Sequence, residues 1–113
     1  MRQQITKIDV KNILQKWAQG ELKASEVHEW AEARFTSWDV ESEAVLQVLR
    51  ELDQLDMNLR TKEDIPFFLN ILEENLESAE DLENKFDEYQ SSIDMTHRKK
   101  ELSGDPLYAR FCK

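Results

Sequence analysis

Thr61-Lys62-Glu63-Asp64-Ile65-Pro66-Phe67-Phe68-Leu69-Asn70-Ile71-Leu72-Glu73-Glu74-Asn75-Leu76 is the stretch that decides the fold. Wound as a helix from about 62 or 65 to 75, it places Ile65, Phe67, Phe68, Leu69, Ile71, Leu72 and Leu76 over more than half its circumference. Only Asn70, Glu73 and Glu74 remain for the outer side. A helix apolar over most of its surface has to be enclosed by others, so this segment predicts the centre of a helical bundle. Pro66 fits the first turn, where a missing N–H costs little. Thr61 stands where an N-cap is needed, with Asp64 three residues on as in a capping box.

The same punctuation recurs along the chain. Thr6 with Asp9 and Ser78 with Asp81 repeat the cap-plus-acid spacing; Ser25, Asp39 and Asp94 are further caps. Gly20 and Gly104 stand where left-handed helix ends are expected. Apolar residues at i, i+3, i+4 and i+7 mark a first helix over 7–19 (Val10, Ile13, Leu14, Trp17) and a second over 26–37 (Val27, Trp30, Ala31, with Trp38 beyond). A third, over 40–55, carries Val45, Val48, Leu49, Leu52 and Leu55. Its period would place Asp56 on the apolar stripe, so Asp56-Met57-Asn58 reads as a turn. A fifth helix over 79–93 turns Leu82, Phe86, Tyr89 and Ile93 inward, and a short sixth spans 95–102 before Asp105-Pro106.

Two glycines and two prolines among 113 residues are too few for a turn-rich sheet protein. The expectation is all-α: one domain, 1–113, a bundle of five to six short helices with a mostly buried central helix at about 62–75. Cys112 is the one cysteine, which leaves no internal disulfide and fits a reducing compartment. Neither a 20-residue apolar run nor a signal-like start occurs, so the expected location is the cytoplasm.

Charge is uneven. The chain carries −9; residues 1–24 and 95–113 are each +3, which leaves −15 on residues 25–94. Nucleic acid or an anionic membrane would be repelled by that middle, and a basic protein drawn to it. Between Glu73 and Asp94 nine acids face one base, Lys85. Like-charged i, i+4 pairs (Glu73 with Glu77, Glu77 with Asp81, Glu83 with Asp87) each cost about 0.2–0.5 kcal/mol, which Asp81–Lys85 offsets in part. A surface selected for stability alone would interleave signs. Glu73, Glu74, Glu77, Glu80, Glu83, Asp87 and Glu88, together with Asp53 and Asp56, are therefore the candidate partner-binding residues.

Catalytic patterns are sparse. His28 and His97 are on different helices with no local Ser or Cys partner, and two glycines leave no room for a phosphate loop. His28 with Glu32 and His97 with Glu101 share helix faces at i, i+4 but read as surface pairs; no metal, cofactor or catalytic residue is expected. Arg34, between Trp30 and Trp38, reads as snorkelling or acid-paired ahead of being an interface anchor. Arg98-Lys99-Lys100 reads as a complement to the last helix's C-terminal end or to the neighbouring acidic helix.

Three segments carry a family resemblance: Lys16-Trp17-Ala18-Gln19-Gly20-Glu21-Leu22 running into Val27-His28-Glu29-Trp30-Ala31-Glu32; Glu51-Leu52-Asp53-Gln54-Leu55-Asp56-Met57-Asn58-Leu59 with Glu63-Asp64-Ile65-Pro66; and Asp105-Pro106-Leu107-Tyr108-Ala109-Arg110-Phe111-Cys112. Together they resemble short bacterial proteins that look like immunity proteins of polymorphic-toxin and contact-dependent growth inhibition systems. The resemblance implies neutralisation of a cognate toxin, a basic nuclease domain by charge. It assigns no binding residues. The alternative expectation is a helical adaptor or homo-oligomer working through an exposed apolar stripe, at Trp38 or in the Leu107–Phe111 tail.

Overall fold

A computed structural model describes residues 4–35, 39–74 and 78–112. The described elements run β1 (Gln4–Ile5), α1 (Lys7–Ala18), α2 (Ala24–Phe35), β2 (Asp39–Val40), α3 (Glu43–Asp53), α4 (Ile65–Glu73), α5 (Ala79–Ser92) and α6 (Met95–Leu102). Single 3-10 turns, Lys62–Asp64 and Ala109–Phe111, precede α4 and follow α6. The architecture is an all-α bundle. Trp38, Leu76 and Glu77 lie outside the described residues.

Caps account for most helix starts. Thr6 and Asp9 exchange both bonds of a capping box at α1, and Thr61 and Asp64 do the same before α4. Ser78 and Asp94 each accept one backbone N–H, at α5 and α6. Two starts differ from expectation. At α2 the helix begins at Ala24, because the Glu26 carboxylate reaches back to the Lys23 N–H (3.0 Å), which puts Ser25 inside the first turn. At α3 the cap is Ser42, not Asp39. Asp39 and Val40 are held extended by parallel pairing with Gln4 and Ile5, and the Glu41 N–H continues the ladder to the Ile5 carbonyl (2.9 Å). That two-residue pairing ties the start of the chain to the α2–α3 connection.

Of the two glycines, Gly20 takes the expected left-handed conformation (φ +82) and Gly104 does not. The left-handed position after α3 is held by Leu59 (φ 54), although its side chain is 1% exposed. For a residue with a Cβ this costs about 1–2 kcal/mol. Burial of the leucine offsets the cost, at about 1.5–3 kcal/mol for a full side chain.

One core cluster joins all six helices. From α1 come Val10, Leu14 and Trp17; from α2, Val27 and Ala31; from α3, Val45, Val48, Leu49 and Leu52. Helix α4 adds Ile65, Phe68, Ile71 and Leu72, α5 adds Leu82 and Phe86, and Met95 and Leu102 of α6 pack on its edge. Phe67 and Leu69 of α4 are half-buried, so this helix is enclosed on most of its circumference as its composition requires. It packs on α1 and α3, while α3 itself lies against α1, α2, α4 and α5. The Leu107–Phe111 tail is packed: Tyr108 is 2% exposed, and Leu107 and Phe111 rest against the core.

Candidate functional site

Helix α5 is anchored by one face. Leu82 and Phe86 are buried, and the Tyr89 ring stacks flat on Phe67, centroids 4.0 Å apart and planes within 3°. That anchoring turns Glu80, Asp81, Glu83, Asp87 and Glu88 to solvent. No cation stands within ion-pairing distance of any of them among the described residues; Asp81 and Lys85 do not close the i, i+4 pair their spacing allows. The like-charge repulsion along this face is thus not answered by an ion pair among the described residues. Glu73, at the end of α4, is exposed but paired with Lys11 of α1, and Glu74 accepts from Asn70 Nδ2 at 3.4 Å. Glu77 lies outside the described residues.

Asp53 and Asp56 belong to a different group. Asp56 is 7% exposed: one carboxylate oxygen accepts the Met57 N–H (2.8 Å), and the other lies 3.8 Å from His28 Nε2 and 3.7 Å from the Arg110 guanidinium. A side chain so enclosed presents little to a partner, so the structure places Asp56 in the interior and not on the acidic face. Asp53 is half-buried, and burial raises its carboxyl above the ordinary value of 3.8, with Glu32 and Asp56 adding to the rise and His28 opposing it. His28 also approaches the Leu52 carbonyl (Nδ1, 3.4 Å) and Glu32 (Nε2, 3.3 Å). The group links the end of α3 to α2 and to the C-terminal turn.

The strongest electrostatic feature was not legible as one. Asp64, read as a capping acid, is 0% exposed, and its carboxylate accepts four hydrogen bonds from three donor atoms. The Thr61 N–H (2.7 Å) and Arg98 Nη1 (2.9 Å) reach Oδ2; Arg98 Nη1 (3.1 Å) and the Tyr89 hydroxyl reach Oδ1. Arg98 also donates to the carbonyl of the left-handed Leu59 (3.2 Å) and lies 3.5 Å from Glu63. Beside it the buried Arg60 donates from Nε to Glu51 (2.9 Å), its guanidinium 5.8 Å from the centre of the Tyr89 ring. Tyr108 closes the far side by donating to the Arg60 carbonyl. Arg98 therefore belongs to an interior hub, not to a surface basic cluster. The hub joins α5, α6, the turn after α3 and the C-terminal segment.

Both tyrosines respond to this setting. Burial, then the hydrogen bond to Asp64, pushes the Tyr89 phenol up from 10.0 to about 12; burial, then the charge of Asp105, raises Tyr108 as well. A raised folded-state value means stability present below pH 10 and lost as pH climbs toward 12. In a 295 nm titration neither tyrosine is expected to ionise at pH 10 in the folded chain. Tyrosinate absorbance should instead rise together with the loss of helical circular dichroism. An independent tyrosine titrating near pH 10 without unfolding would contradict the hub.

Within the chain these groups pair with one another and brace the helices. Among the described residues no Ser, Thr or Cys side chain is hydrogen-bonded to His28 or His97, and no three His, Cys, Asp or Glu side chains are arranged to hold a metal ion. Arg34 lies over the Trp30 ring (4.9 Å) and donates to the Trp30 carbonyl (3.1 Å), a helix-internal contact. The exposed large apolar side chains among the described residues are Ile8 and Met57, on different elements, and they form no stripe. No described helix is long and apolar enough to cross a membrane. No family model, curated protein or solved structure matches the chain.

Proposed function

We propose that the chain is a binding protein that captures a basic partner on α5, acting in the cytoplasm as an immunity protein that neutralises a cognate toxin domain. The observation that carries the reading is the exposed row of carboxylates, Glu80, Glu83, Asp87 and Glu88, with no cation among the described residues within ion-pairing distance. A groove that binds nucleic acid is built from lysines and arginines spaced for phosphates. An acidic helix laid across it offers anionic groups in the same place and excludes the substrate. Charge of this kind raises the association rate, and desolvated side chains at the centre of the contact then hold the complex. On this reading the protein performs no chemistry of its own.

The test uses the intact chain and the C-terminal domain of any exported toxin encoded beside its gene. Tight association that weakens between 50 and 300 mM salt is expected, with loss of the toxin's activity. The E80K/E83K/D87K variant should associate roughly 10- to 1,000-fold more slowly. These side chains are exposed, so the reversal leaves the fold intact. Absence of binding and of neutralisation overturns the function. Binding that ignores both salt and the triple reversal overturns the acidic-face mechanism.

A further inference from the structure

A groove away from α5 has no part in that reading. It runs between the Gly20–Ala24 connection, Thr61–Lys62 and the end of α6, with a volume of about 370 Å³. Its floor is apolar: Trp17 and Tyr108 are each 2% exposed, and Leu22 and Leu102 stand half-buried at its sides. Lys23 and Lys62 are exposed at its rim, and neither has a carboxylate within 4 Å among the described residues. The acid that also lines it, Asp105, turns back to accept the Leu107 N–H at 2.9 Å.

Trp17, Leu22 and Lys23 come from the net-basic start of the chain and Leu102 and Tyr108 from its net-basic end, while Thr61 and Lys62 belong to the acidic middle. On a protein of charge −9 with 24 acidic residues, two unanswered lysines flanking an apolar floor are conspicuous. They fix the sign of what would sit between them. The groove is open along its length, which suits a chain segment lying across it and not an enclosed small molecule.

We propose that this groove docks an acidic peptide segment of a partner protein. An apolar side chain of that segment seats between Leu22 and Leu102 over Trp17, and carboxylates on either side of it reach Lys23 and Lys62. The site goes beyond the α5 reading: it lies on other elements and selects the opposite charge.

The experiment is amide-shift mapping of the ¹⁵N-labelled full chain with the capped hexapeptide Asp-Glu-Leu-Phe-Glu-Asp. Two controls are used, one with lysine at every acidic position and one with serine in place of Leu-Phe. Shifts should concentrate at residues 22–24, 61–62 and 102–108, and both controls should bind weakly. Two exposed ion pairs together are worth up to about tenfold in affinity, so K23E/K62E should lose roughly that much and turn its preference to the lysine peptide. E80K/E83K/D87K should bind the acidic peptide as the parent does, which separates this site from the acidic face. The proposal is overturned by unmoved shifts at millimolar peptide, by shifts centred elsewhere, by an equal response to the lysine peptide, or by unchanged binding in K23E/K62E.

Discussion

Arg98→Ala is expected to lower the unfolding free energy by about 3–5 kcal/mol, because it strands the fully buried Asp64 carboxylate without its cation. For a domain of this size that corresponds to a fall in Tm of more than about 12 °C. Removing one partner costs far more than the pair contributes, since the remaining charge stays desolvated. The double replacement R98M/D64L, which puts apolar volume where both charges were, should therefore recover much of the loss. Arg98→Lys should fall between, keeping the charge but losing the spread of guanidinium donors that reaches Asp64, Leu59 and Glu63. Urea denaturation of the four proteins decides the matter. A loss below about 1 kcal/mol for R98A would mean that water reaches Asp64 and that the hub is a surface pair.

Phe68→Ala carries a similar expected cost by a different route. Phe68 is 0% exposed in the middle of α4, with the Phe67 and Phe86 rings 6.1 and 6.5 Å away by centroid. Truncation leaves a cavity that its neighbours cannot collapse into, for about 3–5 kcal/mol. Phe67, one residue earlier, is half-buried and stacked on Tyr89; its truncation should cost only about 1–2 kcal/mol. The ratio of the two losses reads out which side of α4 faces the centre. Equal losses would show the helix seated differently.

That contrast also shows where sequence reasoning reaches its limit. The enclosure of α4 was legible because seven apolar residues in one short segment leave no other arrangement. Caps were legible where an oxygen-bearing residue stood alone before an apolar period, as at Thr6, Thr61, Ser78 and Asp94. One slipped through a local contact, Glu26 reaching back to Lys23, and one where something distant intervened: pairing with Ile5 holds Val40 extended and moves the α3 cap to Ser42. A two-residue strand carries no alternation for a pattern to detect. The hub was hidden for a similar reason. Asp64 already had a local explanation as a capping acid and Arg98 one as part of a basic run, and 34 residues separate them. Exposure on α5 followed from periodicity, whereas the burial of Asp56 depends on α2 and Arg110 closing over it.

The hub also bears on how the chain is made. Asp64 belongs to the first two-thirds of the polypeptide, yet Tyr89, Arg98 and the Tyr108 that seals the far side emerge in that order afterwards. At ordinary rates of translation roughly 2–7 s pass between the synthesis of residue 64 and that of residue 98. Through that interval α1 to α4 would have to enclose a carboxylate with no countercharge, which opposes their docking. Docking of α4 is therefore expected to wait for the C-terminal segment, and a truncated product ending before Arg98 lacks the cation that pairs with Asp64.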